Sequence, residues 1–185
     1  MLAPGKMKAR KLKKGDIVLE GSSVVTDSKA FVRFVLGDKS SMNIGPSSKI
    51  VLSSLPKQDL NVIKLLSGVV KAHVIKSKDE RKKKKLLVKT QNAVLGVRGT
   101  KFQSTYNPVN KATSLITVEG EVSMLKVADK VSLDEASEAI DKSSDVVEVR
   151  AGRYSGTMAK SSKASVPQKI APKQYDVLAK SMGSK

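Results

Sequence analysis

The sequence predicts an all-β protein of many short strands, and two observations carry that prediction. From Asp16 to about Met124 the apolar residues recur at period two, and Gly, Pro, Asn, Asp or Ser break the chain roughly every eight residues. Each apolar run is too short to be stable alone. The strands must therefore bury their apolar faces against one another, in a roll, solenoid-like stack or sandwich.

The elements follow in chain order. Residues 1–14 form a basic arm whose six Lys and Arg sit between Lys6 and Lys14. A β domain is expected over residues 15–155. Its first clear strand places Ala30, Val32, Phe34 and Leu36 on one face and Lys29, Phe31, Arg33 and Val35 on the other. Gly37-Asp38 then reads as a tight hairpin turn in which glycine takes the positive φ.

The same alternation returns at Met42 and Ile44, Ile50 and Leu52, Leu60 and Val62, and Val70, Ala72 and Val74. It continues at Leu86 and Val88 and at Ala93, Leu95 and Val97. Leu115–Val118 and Val122–Leu125 read as a hairpin across Glu119-Gly120.

One segment breaks the rule. Leu133, Ala136 and Ile140 fall at helical spacing behind Ser132, an N-cap with Glu135 three residues later, which predicts a short helix near 133–141. Asp129 to Glu148 is also acidic, with seven carboxylates against two lysines. A closing strand is expected over Val146–Arg150. Residues 156–185, rich in Ser, Lys, Ala and Pro, read as a flexible, partly disordered basic tail.

Composition narrows the chemistry. The 185 residues hold 35 Lys+Arg against 17 Asp+Glu, a formal charge of +18, with 39% apolar residues, enough for one core. There is no cysteine, which excludes disulfide scaffolds, thiolate metal sites and cysteine nucleophiles. The longest apolar region is cut by Lys64, Ser67 and Gly68, so no membrane-spanning helix is expected. Met1–Lys14 has no apolar stretch behind its charges and does not read as a signal peptide. Two compartments follow: the periplasm or exterior, with an export signal already removed, or the cytoplasm.

Catalytic readings find little support. His73 has the outward parity of its strand and reads as a surface histidine. Asp134, Glu138 and Asp141 fall at i, i+4 and i+7, but a solvated acidic face that attracts the protein's own lysines is favoured over a cation site. Gly96-Val97-Arg98-Gly99-Thr100 lacks the Gly-Lys-Ser/Thr ending of a phosphate loop, and a strand pattern, not a helix, follows it. No catalytic residue, metal ligand or cofactor is assigned.

The run Arg81, Lys82, Lys83, Lys84 and Lys85, read as a loop tip or hairpin end between two strands, is the candidate site for an anionic partner. Lysines dominate the basic residues, which favours diffuse attraction over bidentate base or phosphate reading, and few aromatics are interleaved for stacking. Nucleic acid is the weaker partner class on that ground.

The order of motifs carries a resemblance. Gly15-Asp16-Ile17-Val18, Ala30–Leu36 with Gly37-Asp38-Lys39-Ser40, Ile44-Gly45-Pro46-Ser47-Ser48 and Leu66-Ser67-Gly68-Val69-Val70 come first. Ala93-Val94-Leu95-Gly96-Val97-Arg98-Gly99-Thr100-Lys101-Phe102, Glu119-Gly120-Glu121-Val122 and Arg150-Ala151-Gly152 follow. Together, over about Gly15 to Tyr154, they resemble the FecR domain family, and the Ala93–Phe102 block is the most specific of them.

The resemblance implies a stand-alone, non-catalytic, β-rich module of the bacterial envelope, facing the periplasm and binding an envelope protein or anionic envelope polymer, with a role in signalling or regulation. The family's best-known members relay signals from outer-membrane siderophore receptors to sigma factors; this chain lacks their transmembrane segment and N-terminal helical domain. The motif residues Gly96, Arg98, Gly99, Thr100, Phe102, Glu119 and Gly120 are expected to be mainly structural. Arg98, sharing a strand face with Val94 and Gly96, is expected to pair with Glu119.

Overall fold

The computed structural model describes residues 1–6, 8–56, 60–76 and 86–183. The described residues form two packed sheets that share one long strand. The first sheet runs β1 (Ser23–Val25), β4 (Lys49–Leu55), the leading half of β5 (Leu60–His73), β6 (Leu86–Lys89), β7 (Ala93–Val97), β10 (Glu121–Lys126) and β11 (Val147–Arg150). The second runs β2 (Val32–Val35), β3 (Ser41–Ile44), the trailing half of β5, β8 (Lys101–Asn107), β9 (Ala112–Glu119), β12 (Arg153–Thr157) and β13 (Gln168–Lys169). Two helices complete the described residues, α1 (Leu133–Lys142) and α2 (Pro172–Gly183). The predicted all-β class is the observed one.

The core lies between the sheets. Ile50, Ile63, Leu65, Val88, Leu95, Val122 and Met124 from the first meet Met42, Ile44, Val70, Phe102 and Leu115 from the second. At roughly 25 cal/mol per Å² of apolar surface removed from water, these inward rows are the main source of stability.

Strand β5 makes the two sheets one curled body. Its residues 60–67 pair with β4 and 61–64 with β6, whereas 68–73 pair with β8 and 70–73 with β3. The sequence reads two strands here, Leu60–Val62 and Val70–Val74; the structure has one strand bent at Gly68. Gly68 takes φ +91°, and a Cβ there would overlap Ser48, whose Cα would lie at 2.5 Å. The glycine bends the strand without breaking it, and Ser48 Oγ accepts the Val69 N–H at 2.9 Å.

Other local expectations divide. The β2–β3 hairpin forms, but the positive φ falls on Lys39 (67°) and not on Gly37. Helix α1 starts at Ser132 with a complete capping box: Ser132 Oγ accepts the Glu135 N–H, and the Glu135 carboxylate accepts the Ser132 N–H. The Glu119-Gly120 hairpin does not form. Strand β9 pairs with β8 and β12, and β10 pairs with β7 and β11, so at Gly120 the chain crosses from one sheet to the other.

The terminal segments also carry structure. Leu2 bridges to Ser23, the Met1 ammonium donates to Arg10 O at 2.8 Å, and Arg10 pairs with Asp16 at 2.6 Å. Strand β12 runs through residue 156, where the sequence places the start of the tail, and β13 and α2 follow it. Ala164 is buried in the core, and Tyr175 donates to Val118 O at 2.8 Å, which seats α2 over the second sheet. The apolar residues Ala164, Tyr175 and Leu178 give that segment a face to bury.

Candidate functional site

The Ala93–Phe102 block explains itself by its burial. Every residue of β7 is buried. Ala93, Leu95 and Val97 enter the core between the sheets, while Val94 points outward beneath Ala136 and Ile140 of α1. A strand covered on both faces needs apolar or small residues at both parities, and Gly96 fills one such place between Leu87 and Ser123. Phe102, wholly buried on β8, lies between Ala72 and Thr117.

The remaining motif residues meet at one corner. Gly120 takes φ +78°, and a Cβ there would stand 2.8 Å from Gly99 O and 2.8 Å from Thr100 Cγ2. Thr100 O accepts the Val74 N–H at 2.9 Å, and Gly120 O accepts the Ala151 N–H at 2.9 Å. The corner therefore ties β5, β7–β8, β9–β10 and β11–β12 together where the chain changes sheet.

Arg98 lies just beyond β7, half-buried, with its Nε buried. Its expected partner is engaged elsewhere: Glu119 pairs with Lys101 at 2.7 Å. Lys101 and Glu119 are direct cross-strand neighbours on β8 and β9, whereas Arg98 sits in the turn before β8. The hydrogen bond from Lys101 holds the Glu119 carboxyl below its usual range; slight burial opposes this, and the charges of Lys101 and His73 add to it. His73 is exposed at the end of β5.

Arg81, Lys82, Lys83, Lys84 and Lys85 lie outside the described residues. Both ends of their segment are described, however. Lys76 stands against Gly99, with its Cβ 2.8 Å from where a Gly99 Cβ would be, and Leu86 is the cross-strand partner of Val97. The described residues that flank the segment, Lys76 and Leu86, thus both lie beside the motif corner. The strands on either side, β5 and β6, pair in parallel, so they are not the two arms of a hairpin.

A second arrangement lies at the other end of β6 and β7. Along the outer face of the first sheet, Val62 and Leu87 lie beneath α1. Two residues further along each strand, the same row carries Lys64 and Lys89, which are direct partners in the parallel β5–β6 pair. They border a pocket of about 380 Å³ together with Gln91, Tyr106, Asp129 and Leu133. Tyr106 Oη donates to Gln91 Oε1 at 2.5 Å, and Gln91 Nε2 donates to Asp129.

Burial holds the Lys89 ammonium below the usual lysine range; Asp129 pulls it back up, and Lys64 adds to the lowering. Burial and the Asp129 charge raise the Tyr106 phenol. Beneath the pocket Thr90, Asn92 and Thr113 form a buried network, with the two threonine hydroxyls 2.7 Å apart and Thr113 Oγ1 donating to Asn92 Oδ1 at 2.6 Å. Sequence reasoning missed this pocket. Its only local signal is a lysine interrupting an apolar row on each of two strands.

On the acidic helix Glu138 pairs with Lys142 at 3.1 Å, and Glu135 is spent on the cap. Among the described residues no group of three or more His, Cys, Asp or Glu is placed to hold a metal ion, and no helix is long and apolar enough to cross a membrane.

The family model described as FecR protein matches residues 22–123, just over half of the chain and the stretch from β1 to β10. No curated protein matches the chain. Two crystal structures of a protein described as a candidate anti-sigma factor from Parabacteroides distasonis share the fold. One, at 2.50 Å resolution, has a TM-score of 0.61 and 10% identity over 85% of this chain and 64% of the other. The second, at 1.65 Å, has a TM-score of 0.61 and 12% identity over 88% of this chain and 65% of the other. The chain spans just under two thirds of the length of these structures.

Proposed function

The chain belongs to the FecR protein family, and from that premise we propose that it is a non-catalytic module of the bacterial cell envelope that works in signalling or regulation by binding a protein partner on its periplasmic side. The family, and the anti-sigma description of the proteins sharing its fold, support a regulatory role. One observation supports the motif corner as the contact: the residues that define the family are spent on packing, and both ends of the lysine-rich segment are rooted beside them. What the corner offers a partner is therefore that segment, with Lys101, Glu119 and His73 beside it.

The test replaces Arg81, Lys82, Lys83, Lys84 and Lys85 together by Gln and measures retention of envelope proteins on the immobilised chain at about 0.5 M salt, where diffuse charge attraction is largely screened. The substituted chain is expected to lose more than about tenfold in retention while keeping its melting temperature at that salt concentration, where repulsion among the lysines is screened. Equal retention by both chains would remove the corner from the binding surface.

Polyanion binding is the second reading, favoured by the charge of +18 and its lysine character. It predicts affinity for a labelled DNA duplex, or for an anionic envelope polymer, that falls linearly in log–log form with salt and vanishes near 0.5 M.

A further inference from the structure

The Lys64–Lys89 pocket is independent of the motif corner, lying at the far end of β6 and β7 from it. Two cationic side chains sit directly abreast on neighbouring strands, about 4.8 Å apart at the backbone, which costs free energy unless an anion lies between them. Both are half-buried, so water screens them less than surface lysines.

The neighbouring protein groups leave that charge incompletely met. Among the described residues Asp129 is the one carboxylate of the pocket, and it already accepts from Gln91. The Tyr106 hydroxyl proton is committed to Gln91 Oε1. The start of α1 adds little, because its Glu135 N–H is taken by Ser132. Among the described residues the Lys89 ammonium makes one long hydrogen bond, 3.4 Å, to Thr90 O. The rest of the wall is apolar: Leu66, Pro108, Val131 and Leu133.

We propose that this pocket binds a small ligand carrying one carboxylate or phosphate group on an apolar body, with the anion held between Lys64 and Lys89 and the body against Leu66, Pro108 and Leu133. The volume, about 380 Å³, is within the range of small-molecule sites. The pocket thus takes a ligand class distinct from the partner of the corner, and the two sites can be occupied together.

The test is calorimetric titration of the full chain with phenyl phosphate and with benzoate, which share a ring and differ in the anion. One-site binding is expected, weakened at least tenfold by Lys64→Met and by Lys89→Met and unchanged by Lys173→Met on α2. Binding of phenyl phosphate alone assigns a phosphate ligand, and binding of benzoate alone a carboxylate.

A measurement that needs no variant accompanies it. In the unaltered chain phenyl phosphate or benzoate, whichever binds, should slow acetylation of Lys64 and Lys89 severalfold, read by mass spectrometry, and leave Lys173 unaffected. No heat from either probe, weak binding at many sites that the two substitutions leave unchanged, or uniform protection of all lysines would each overturn the proposal.

Discussion

Gly120 carries the change of sheet on one pair of dihedral angles. Its φ of +78° is costly for any residue with a Cβ, and the place a Cβ would occupy is already filled by Gly99 O and Thr100 Cγ2 at 2.8 Å. The two penalties act together, because relieving the clash means moving the Gly99–Thr100 turn that anchors Val74. Gly120→Ala is therefore expected to cost about 2 kcal/mol or more in urea unfolding, within the range for a strained left-handed position. A loss below about 0.5 kcal/mol would mean that the corner is loose and that its residues are available for binding. Lys101 and Glu119, by contrast, form a partly exposed pair whose removal should cost little in stability.

At the scale of elements, α1 closes the outer face of the first sheet over Leu55, Leu60, Val62, Leu87, Val94 and Leu125. Its register on that row is set by the capping box at Ser132. Ser132→Ala should cost about 1 kcal/mol and raise hydrogen exchange at residues 133–136 while leaving the sandwich strands protected. Uniform loss of protection would show instead that helix and sheet open as one unit. This helix was legible in the sequence because cap, first turn and apolar spacing are all local. The β2–β3 hairpin was legible for the same reason. The crossing at Gly120 was not, since a glycine between two alternating runs reads alike whether the next strand folds back or joins another sheet. The Lys64–Lys89 pair was hidden by the same rule: it depends on a parallel pairing between distant strands and on where α1 begins. β13 and α2 were not legible because they rest on contacts with β12 and Val118, which local composition does not show.

The whole molecule carries 35 cations against 17 carboxylates, so about half of its cations have no acid of their own wherever they lie. The ion pairs among the described residues, Arg10–Asp16, Lys101–Glu119, Lys142–Glu138, Arg150–Glu121 and Lys163–Asp145, are largely solvent-exposed. Each contributes on the order of 0–1 kcal/mol, and salt screens that small term. Repulsion among the excess lysines acts in the other direction and is longer in range. It disfavours the compact state, in which the charges are closest, and it is screened once the Debye length falls from about 20–30 Å at 0.01–0.02 M salt to below 5 Å at 0.5 M. The melting temperature should therefore rise by several degrees over that interval. The chain with Gln at positions 81–85 should start higher and rise less, because five charges have been taken from one short segment. A melting temperature that falls with salt would show that the surface pairs outweigh the repulsion. The lysine excess would then be a folding asset, and its presence would say nothing about a partner.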